Sequence, residues 1–151
     1  PFNNYGPGMS LDDKRVPSDF AKAVIENRDI EMYSDGSPTR TFCYVSDAII
    51  GYLKALLYGE FDYFNIGIDK PEISIRDLAS IYIEKGREIF NYVGISKFAS
   101  PPEKEYLMHN PNRRCPSIDK ARGLLNYNPS IYVEDGVKRF LEFIKITKGT
   151  L

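Results

Sequence analysis

Ile49, Tyr52, Leu53, Leu56 and Leu57 fall at i, i+3, i+4, i+7 and i+8, and this spacing constrains the chain more than any other feature. Apolar residues at that period share one face of an α-helix, and a helix with such a face has to bury it against something. Ser46 stands before the stripe as a cap, and Gly59 ends it in the manner of a C-terminal glycine. Elsewhere, helical patterns alternate with short β-branched or aromatic runs, which predicts one mixed α and β domain over residues 1–151. Ser18 is expected to cap a helix reaching about Arg28, with Phe20, Ala23 and Val24 on one face. Ser74-Ile75-Arg76-Asp77 has capping-box form, and Ile75, Leu78, Ala79, Tyr82 and Ile83 carry the helical spacing onward to Phe90. Asp119 is read as the cap of a short helix through Leu125, and Val137, Phe140, Leu141 and Ile144 mark a last one. Strands are expected at residues 30–33, 41–45 and 63–66, with a turn at 34–38 between the first two. Residues 3–17, rich in Gly, Pro, Asn and Asp, read as turn and loop, and 100–116, with four prolines and many polar residues, as a long loop of the kind that serves a site.

Charge narrows the function classes. Twenty basic residues against 21 acidic ones leave a formal net charge of −1, so no global field holds a nucleic acid backbone or an anionic membrane, and any anion site must be local. Cys43 and Cys115 sit in unlike contexts without CxxC or Cys/His ligand spacing, which argues against a disulfide framework or a zinc site. His109 is the only histidine and reads as a loop residue in solvent. There is no apolar run of about 18 residues and no basic-then-apolar start, so a cytoplasmic protein is expected. The chain opens on Pro1 rather than Met, from which we expect part of a longer or processed protein.

Devices that would make the chain an enzyme by itself are not found in the sequence. There is no GxGxxG or GxxGxxG turn, Walker loop, GxSxG elbow or HExxH helix. None of the eleven tyrosines has a lysine four positions later. What remains is a set of basic residues in loops or at strand ends: Arg15, Arg40 and the pair Arg113-Arg114. Guanidinium forks match phosphate oxygens in pairs, although a surface arginine is more often simply solvated. Tyr33, Phe42 and Tyr44 surround one turn and offer flat apolar faces to a base, with core packing the stronger reading for Phe42. Asn3 and Asn4 can donate amide bonds to phosphate or sugar hydroxyls, or simply serve a turn.

Taken in order, several segments resemble the carboxy-terminal half of the extended short-chain dehydrogenase/reductases, the NAD-dependent epimerase/dehydratase enzymes that modify sugar nucleotides. These are Phe2-Asn3-Asn4-Tyr5-Gly6-Pro7-Gly8-Met9, Asp13-Lys14-Arg15-Val16, the run from Tyr33 to Asp47 through Arg40-Thr41-Phe42-Cys43-Tyr44-Val45, then Phe64-Asn65-Ile66-Gly67, and Asn112-Arg113-Arg114-Cys115-Pro116 continuing to Ala121. Within the family the likeness is greatest to UDP-glucuronate decarboxylases, and less to dTDP-glucose 4,6-dehydratases and UDP-glucose 4-epimerases. The resemblance implies an α/β fold, namely the substrate-binding C-terminal part of a Rossmann-type enzyme whose NAD-binding part lies outside these residues. It implies no catalytic residue in this chain, NAD as cofactor of the whole enzyme, a UDP- or dTDP-sugar as ligand, and a homodimer at full length. It places Asn3 and Arg40 on the diphosphate, Arg114 on phosphate or ribose, and Val16, Phe20 and Tyr33 around the nucleoside. Arg15 falls near a sugar carboxylate, and Asn65 is mainly structural support. Cys115 and Ser117 depart from the decarboxylase pattern, and a non-catalytic nucleotide-sugar-binding module is the alternative reading.

Overall fold

The computed structural model of the chain describes residues 1–100 and 111–148. His109 therefore lies outside the described residues. In chain order the elements are β1 (Asn4–Tyr5), α1 (Val16–Ile25), β2 (Ile30–Met32), β3 (Thr39–Arg40), β4 (Cys43–Tyr44), α2 (Val45–Leu56), β5 (Ile73–Ser74), α3 (Ile75–Phe90), β6 (Ser96–Phe98), β7 (Arg113–Arg114), α4 (Asp119–Leu125) and α5 (Val133–Lys148). The fold is mixed α/β, as the alternation of patterns predicts.

Helices carry the core. Phe20 and Val24 of α1, Leu78 and Tyr82 of α3, and Val137, Phe140 and Leu141 of α5 are all at most 2% exposed and form one cluster. Tyr5 meets Phe42, Tyr44 and Phe140 edge to face, the arrangement that ring quadrupoles favour. A smaller cluster of Ile66, Ile118, Ala121, Leu125 and Tyr127 lies under α4.

The strands are two or three residues long and fall into three small sheets. β1 runs parallel to β4, β2 parallel to β6, and β3 lies between antiparallel β5 and parallel β7. Of the strand expected at 41–45 only Cys43–Tyr44 forms, and Thr39–Arg40 is a separate strand just ahead of it. Thr39–Arg40 and Cys43–Tyr44 join different sheets, so the chain changes partner between them. Residues 63–66 form no strand; the bond from Phe2 N–H to the Ile66 carbonyl at 3.0 Å ties this segment to the chain's start.

Helix starts follow local chemistry. At α3, Ser74 Oγ accepts from Asp77 N–H at 3.0 Å while the Asp77 carboxylate accepts from Ser74 N–H at 3.2 Å, and Asn91 at φ 55° closes the far end. α1 begins earlier than expected, with Arg15 at the N-cap and Pro17 in the first turn, a position for which its fixed φ is pre-organised. Ser18 is not the cap: it lies within the helix and its hydroxyl donates back to the Arg15 carbonyl at 2.7 Å. α1 also stops at Ile25, short of Arg28. Likewise Tyr44, not Ser46, is the N-cap of α2, and Asp119 is the first residue of α4 behind an Ile118 cap.

α2 forms where the stripe predicts, but it is seated through its other face. Asp47, Ala48 and Gly51 are buried, whereas Leu53, Leu56 and Leu57 are 53%, 79% and 80% exposed. Gly51 comes so close to the smaller cluster that a Cβ there would stand 2.5 Å from Ile66 Cγ2 and 2.9 Å from the Tyr127 ring. The small residues admit the close approach, and the leucines are left outward. No described helix is long and apolar enough to cross a membrane.

Candidate functional site

A cleft of about 800 Å³ opens where the first turn of α1, the residues around β1, the end of β2, and strands β3 and β7 converge. Its volume is that of an ordinary ligand site. Asn3, Arg15, Val16, Phe20, Tyr33, Arg40 and Arg114 all line it. Asn65 does not: its amide donates to the Ser117 carbonyl at 3.0 Å and braces the segment ahead of α4.

Sheet register brings the two distant arginines together. β3 and β7 pair in parallel with Arg40 opposite Arg114 and Thr39 opposite Arg113. Arg40 is only 7% exposed, and its guanidinium donates to the Thr39 carbonyl at 2.7 Å and the Pro111 carbonyl at 2.5 Å, which fixes its direction. Arg113 turns elsewhere. Its Nε and Nη2 donate to Glu72 at 3.1 and 2.7 Å, and the Thr39 hydroxyl donates to the other oxygen of the same carboxylate. These bonds hold the Glu72 carboxyl below the usual glutamate range, the Thr39 hydroxyl first and Arg113 second. Residue type alone left Arg113 and Arg114 equivalent and the resemblance singled out Arg114; as neighbours on one strand they point to opposite faces, Arg113 to Glu72 and Arg114 to the cleft.

On the opposite wall Arg15 is forked onto Asp13, with Nε to Oδ1 at 2.7 Å and Nη2 to Oδ2 at 2.5 Å, and it also donates to the Asn4 carbonyl at 3.3 Å. Asp13 is held below, and Arg15 above, its ordinary pKa by this mutual bonding. Asn3 sits at φ 47° with its amide donating to the Thr41 carbonyl at 2.8 Å. Val16, Phe20 and Tyr33 form an apolar stretch, with Phe20 shared between cleft and core at 2% exposure.

Sequence reasoning missed Lys14, Asp19, Glu31 and Asn112 as lining residues. Two of them carried a readable signal. Asp19 falls at i+3 from Val16 on one helix, and Glu31 lies two residues from Tyr33 on one strand. Burial raises the Asp19 carboxyl above its usual range. Lys14, Arg15, Arg40 and Arg114 line the cleft together with Asp19, Glu31 and Asp35, a local cationic excess in a chain whose net charge is −1. Such a lining suits an anion joined to an apolar or aromatic group. Burial pushes the Cys43 thiol up to about 11, which keeps it protonated and unreactive at neutral pH. Among the described residues, no group of His, Cys, Asp or Glu is placed to hold a metal ion.

Comparison with known proteins follows the same lines. Residues 1–67 match the model of the NAD dependent epimerase/dehydratase family. UDP-glucuronic acid decarboxylase 1 of Arabidopsis thaliana is 33% identical over 93% of the chain and 30% of its own length. Decarboxylase 5 of the same plant is 30% identical over 98% of the chain and 40% of its own length. Among solved structures, the UDP-glucuronic acid 4-epimerase of Bacillus cereus, in complex with UDP-glucuronic acid and NAD, superposes at a TM-score of 0.77 with 27% identity, covering 97% of this chain and 44% of that one. An epimerase of Methanothermobacter thermautotrophicus shares the fold at a TM-score of 0.84. The chain thus spans less than half the length of each of these relatives. Over residues 1–67 the chain is similar in sequence to the NAD dependent epimerase/dehydratase family, and along nearly all of its length it aligns with UDP-glucuronic acid decarboxylases and superposes on solved epimerases.

Proposed function

We propose that residues 1–151 are the sugar-nucleotide-binding domain of an NAD-dependent enzyme of the UDP-glucuronate decarboxylase type, and that the cleft holds a UDP-sugar by its diphosphate. The observation that carries this reading is the placement of Arg40 and Arg114 opposite one another on β3 and β7, across from the apolar stretch of Val16, Phe20 and Tyr33. In this reading the two guanidinium groups and Asn3 take the diphosphate, the apolar stretch takes the nucleoside, and Arg15 faces the sugar. Asn65 supports the loop rather than the ligand. Similarity to UDP-glucuronic acid decarboxylases over nearly the whole chain favours a UDP-sugar bearing a carboxylate over a dTDP-sugar.

NAD is the cofactor of the whole protein in this reading. α1 follows Lys14-Arg15 and α2 follows Cys43-Tyr44, so neither opens on the glycine-rich turn that cradles a dinucleotide phosphate. This chain's share of catalysis is positional: contacts to the remote nucleotide orient the reacting sugar. The outward leucines of α2 are the face that meets the rest of the polypeptide. The full-length protein is taken to be a homodimer, as the family resemblance implies.

Calorimetric titration of the protein with UDP, dTDP, UDP-glucose and UDP-glucuronate tests the reading. UDP and UDP-glucuronate should bind, and Arg40→Ala and Arg114→Ala should each weaken both by about 2 kcal/mol, the scale of a lost charge-assisted contact. Absence of UDP binding by the folded whole protein, or binding indifferent to both substitutions, would remove the assignment.

A further inference from the structure

Arg15 reaches the cleft with its carboxylate-reading face already filled. Its Nε and Nη2 meet the two oxygens of Asp13 at 2.7 and 2.5 Å, the parallel fork through which a guanidinium recognises a carboxylate. Its Nη1 is engaged by the Asn4 carbonyl at 3.3 Å, so two of its five N–H donors remain.

The backbone builds this pair. Lys14, between the two partners, adopts φ 61°, a left-handed conformation that a residue with a Cβ rarely takes. The Arg15 carbonyl is fixed by Ser18 N–H at 2.9 Å, the Ser18 hydroxyl at 2.7 Å and Asp19 N–H at 3.0 Å. Lys14 and Arg15 line the cleft, and Asp13 is not among its lining residues. The Arg15 and Asp13 side chains keep 54% and 27% exposure, so an incoming group can reach the fork and Asp13 can turn into solvent.

We propose that Asp13 is a specificity-determining residue of the cleft, an internal carboxylate that occupies Arg15 until a ligand carboxylate takes its place. The proposal rests on the reading of the cleft as a sugar-nucleotide site with Arg15 at the sugar. Exchange of one carboxylate for another conserves the two charge-assisted bonds, and the displaced Asp13 remains beside the Lys14 backbone in contact with water. A sugar that ends in a neutral hydroxymethyl group offers nothing to make the exchange and leaves the pair closed. Asp13 thereby lowers affinity for every ligand that needs Arg15 and sets how strongly a uronic sugar is preferred over its neutral counterpart.

The measurement is the ratio of dissociation constants for UDP-glucose and UDP-glucuronate in the whole protein, with UDP as reference ligand. Asp13→Asn should raise the preference for UDP-glucuronate about fivefold, the effect of freeing one charge-assisted fork. Asp13→Ser, which also lacks the carboxylate, should do the same. Arg15→Ala should abolish the preference. Asp12→Asn removes an equal charge one residue away, where Asp12 pairs with Lys22 at 2.6 Å, and should leave the ratio unchanged. If UDP binds normally but both Asp13 variants leave the ratio unchanged or lower it, Asp13 merely orients Arg15 and the proposal fails while the site reading stands. If the wild-type protein does not bind UDP, the site reading fails and takes the proposal with it.

Discussion

Asp47 is 5% exposed and its carboxylate oxygen accepts the N–H groups of Ser130 and Ile131 at 2.9 and 2.8 Å, which pins the entry to α5 against the first turn of α2. Asp47→Ala leaves two donors without an acceptor and should lower stability by about 2–3 kcal/mol in a urea titration, with Asp47→Asn losing less because one acceptor oxygen survives. Sequence reading registered Asp47 only as part of a family-like run, since its partners lie more than eighty positions away. Arg40 was legible for a local reason, a charged residue entering a strand directly after a turn. Arg113 and Arg114 were not separable by residue type; the resemblance pointed to Arg114, and the alternation of side chains along β7 is what sends its neighbour to Glu72. Asn65 drew attention by resemblance, and its amide serves the Ser117 backbone instead of the cleft.

At the scale of elements, legibility follows how local the determinants are. α3 carries its own start in the Ser74 and Asp77 exchange and its own end at Asn91, so its bounds were readable. Strands of two or three residues have no period to read; β1, β3, β5, β6 and β7 were missed, 63–66 was over-read, and 41–45 shrank to 43–44, because pairing across the chain decides them. The helix of α2 was predicted correctly and its orientation was not, since Gly51 and Asp47 seat it through small and polar contacts that a hydrophobic pattern does not display. β7 is joined to β3 and β5 by the Glu72 carboxylate through Thr39 and Arg113. Glu72→Ala removes that clasp without touching the cleft. It should weaken UDP binding several-fold in calorimetry by loosening β7 and the Arg114 it carries, while a urea titration moves little because the clasp is solvent-exposed.

For the whole molecule, composition and alternating patterns were enough to give the α/β class, whereas the convergence of five separate segments on one cleft depended on tertiary geometry. Leu53, Leu56 and Leu57, with Phe61 and Tyr63 soon after them in the chain, are large apolar side chains left exposed. Residues 1–151 alone should therefore self-associate in sedimentation velocity, and Leu56→Ser with Leu57→Ser should return the species toward monomer; a monomeric wild-type chain at high concentration would count against that face as a contact surface. The shortness of the strands reaches further. α1, α3 and α5 share one apolar core, but β3 and β7 at the cleft are held by ladders of two rungs, so this wall should open at a free-energy cost well below that of melting the helices. A ligand spanning β3, β7 and the first turn of α1 acts as a stitch across pieces that the chain itself joins only loosely, and part of its binding energy becomes the rigidity of the site that holds it.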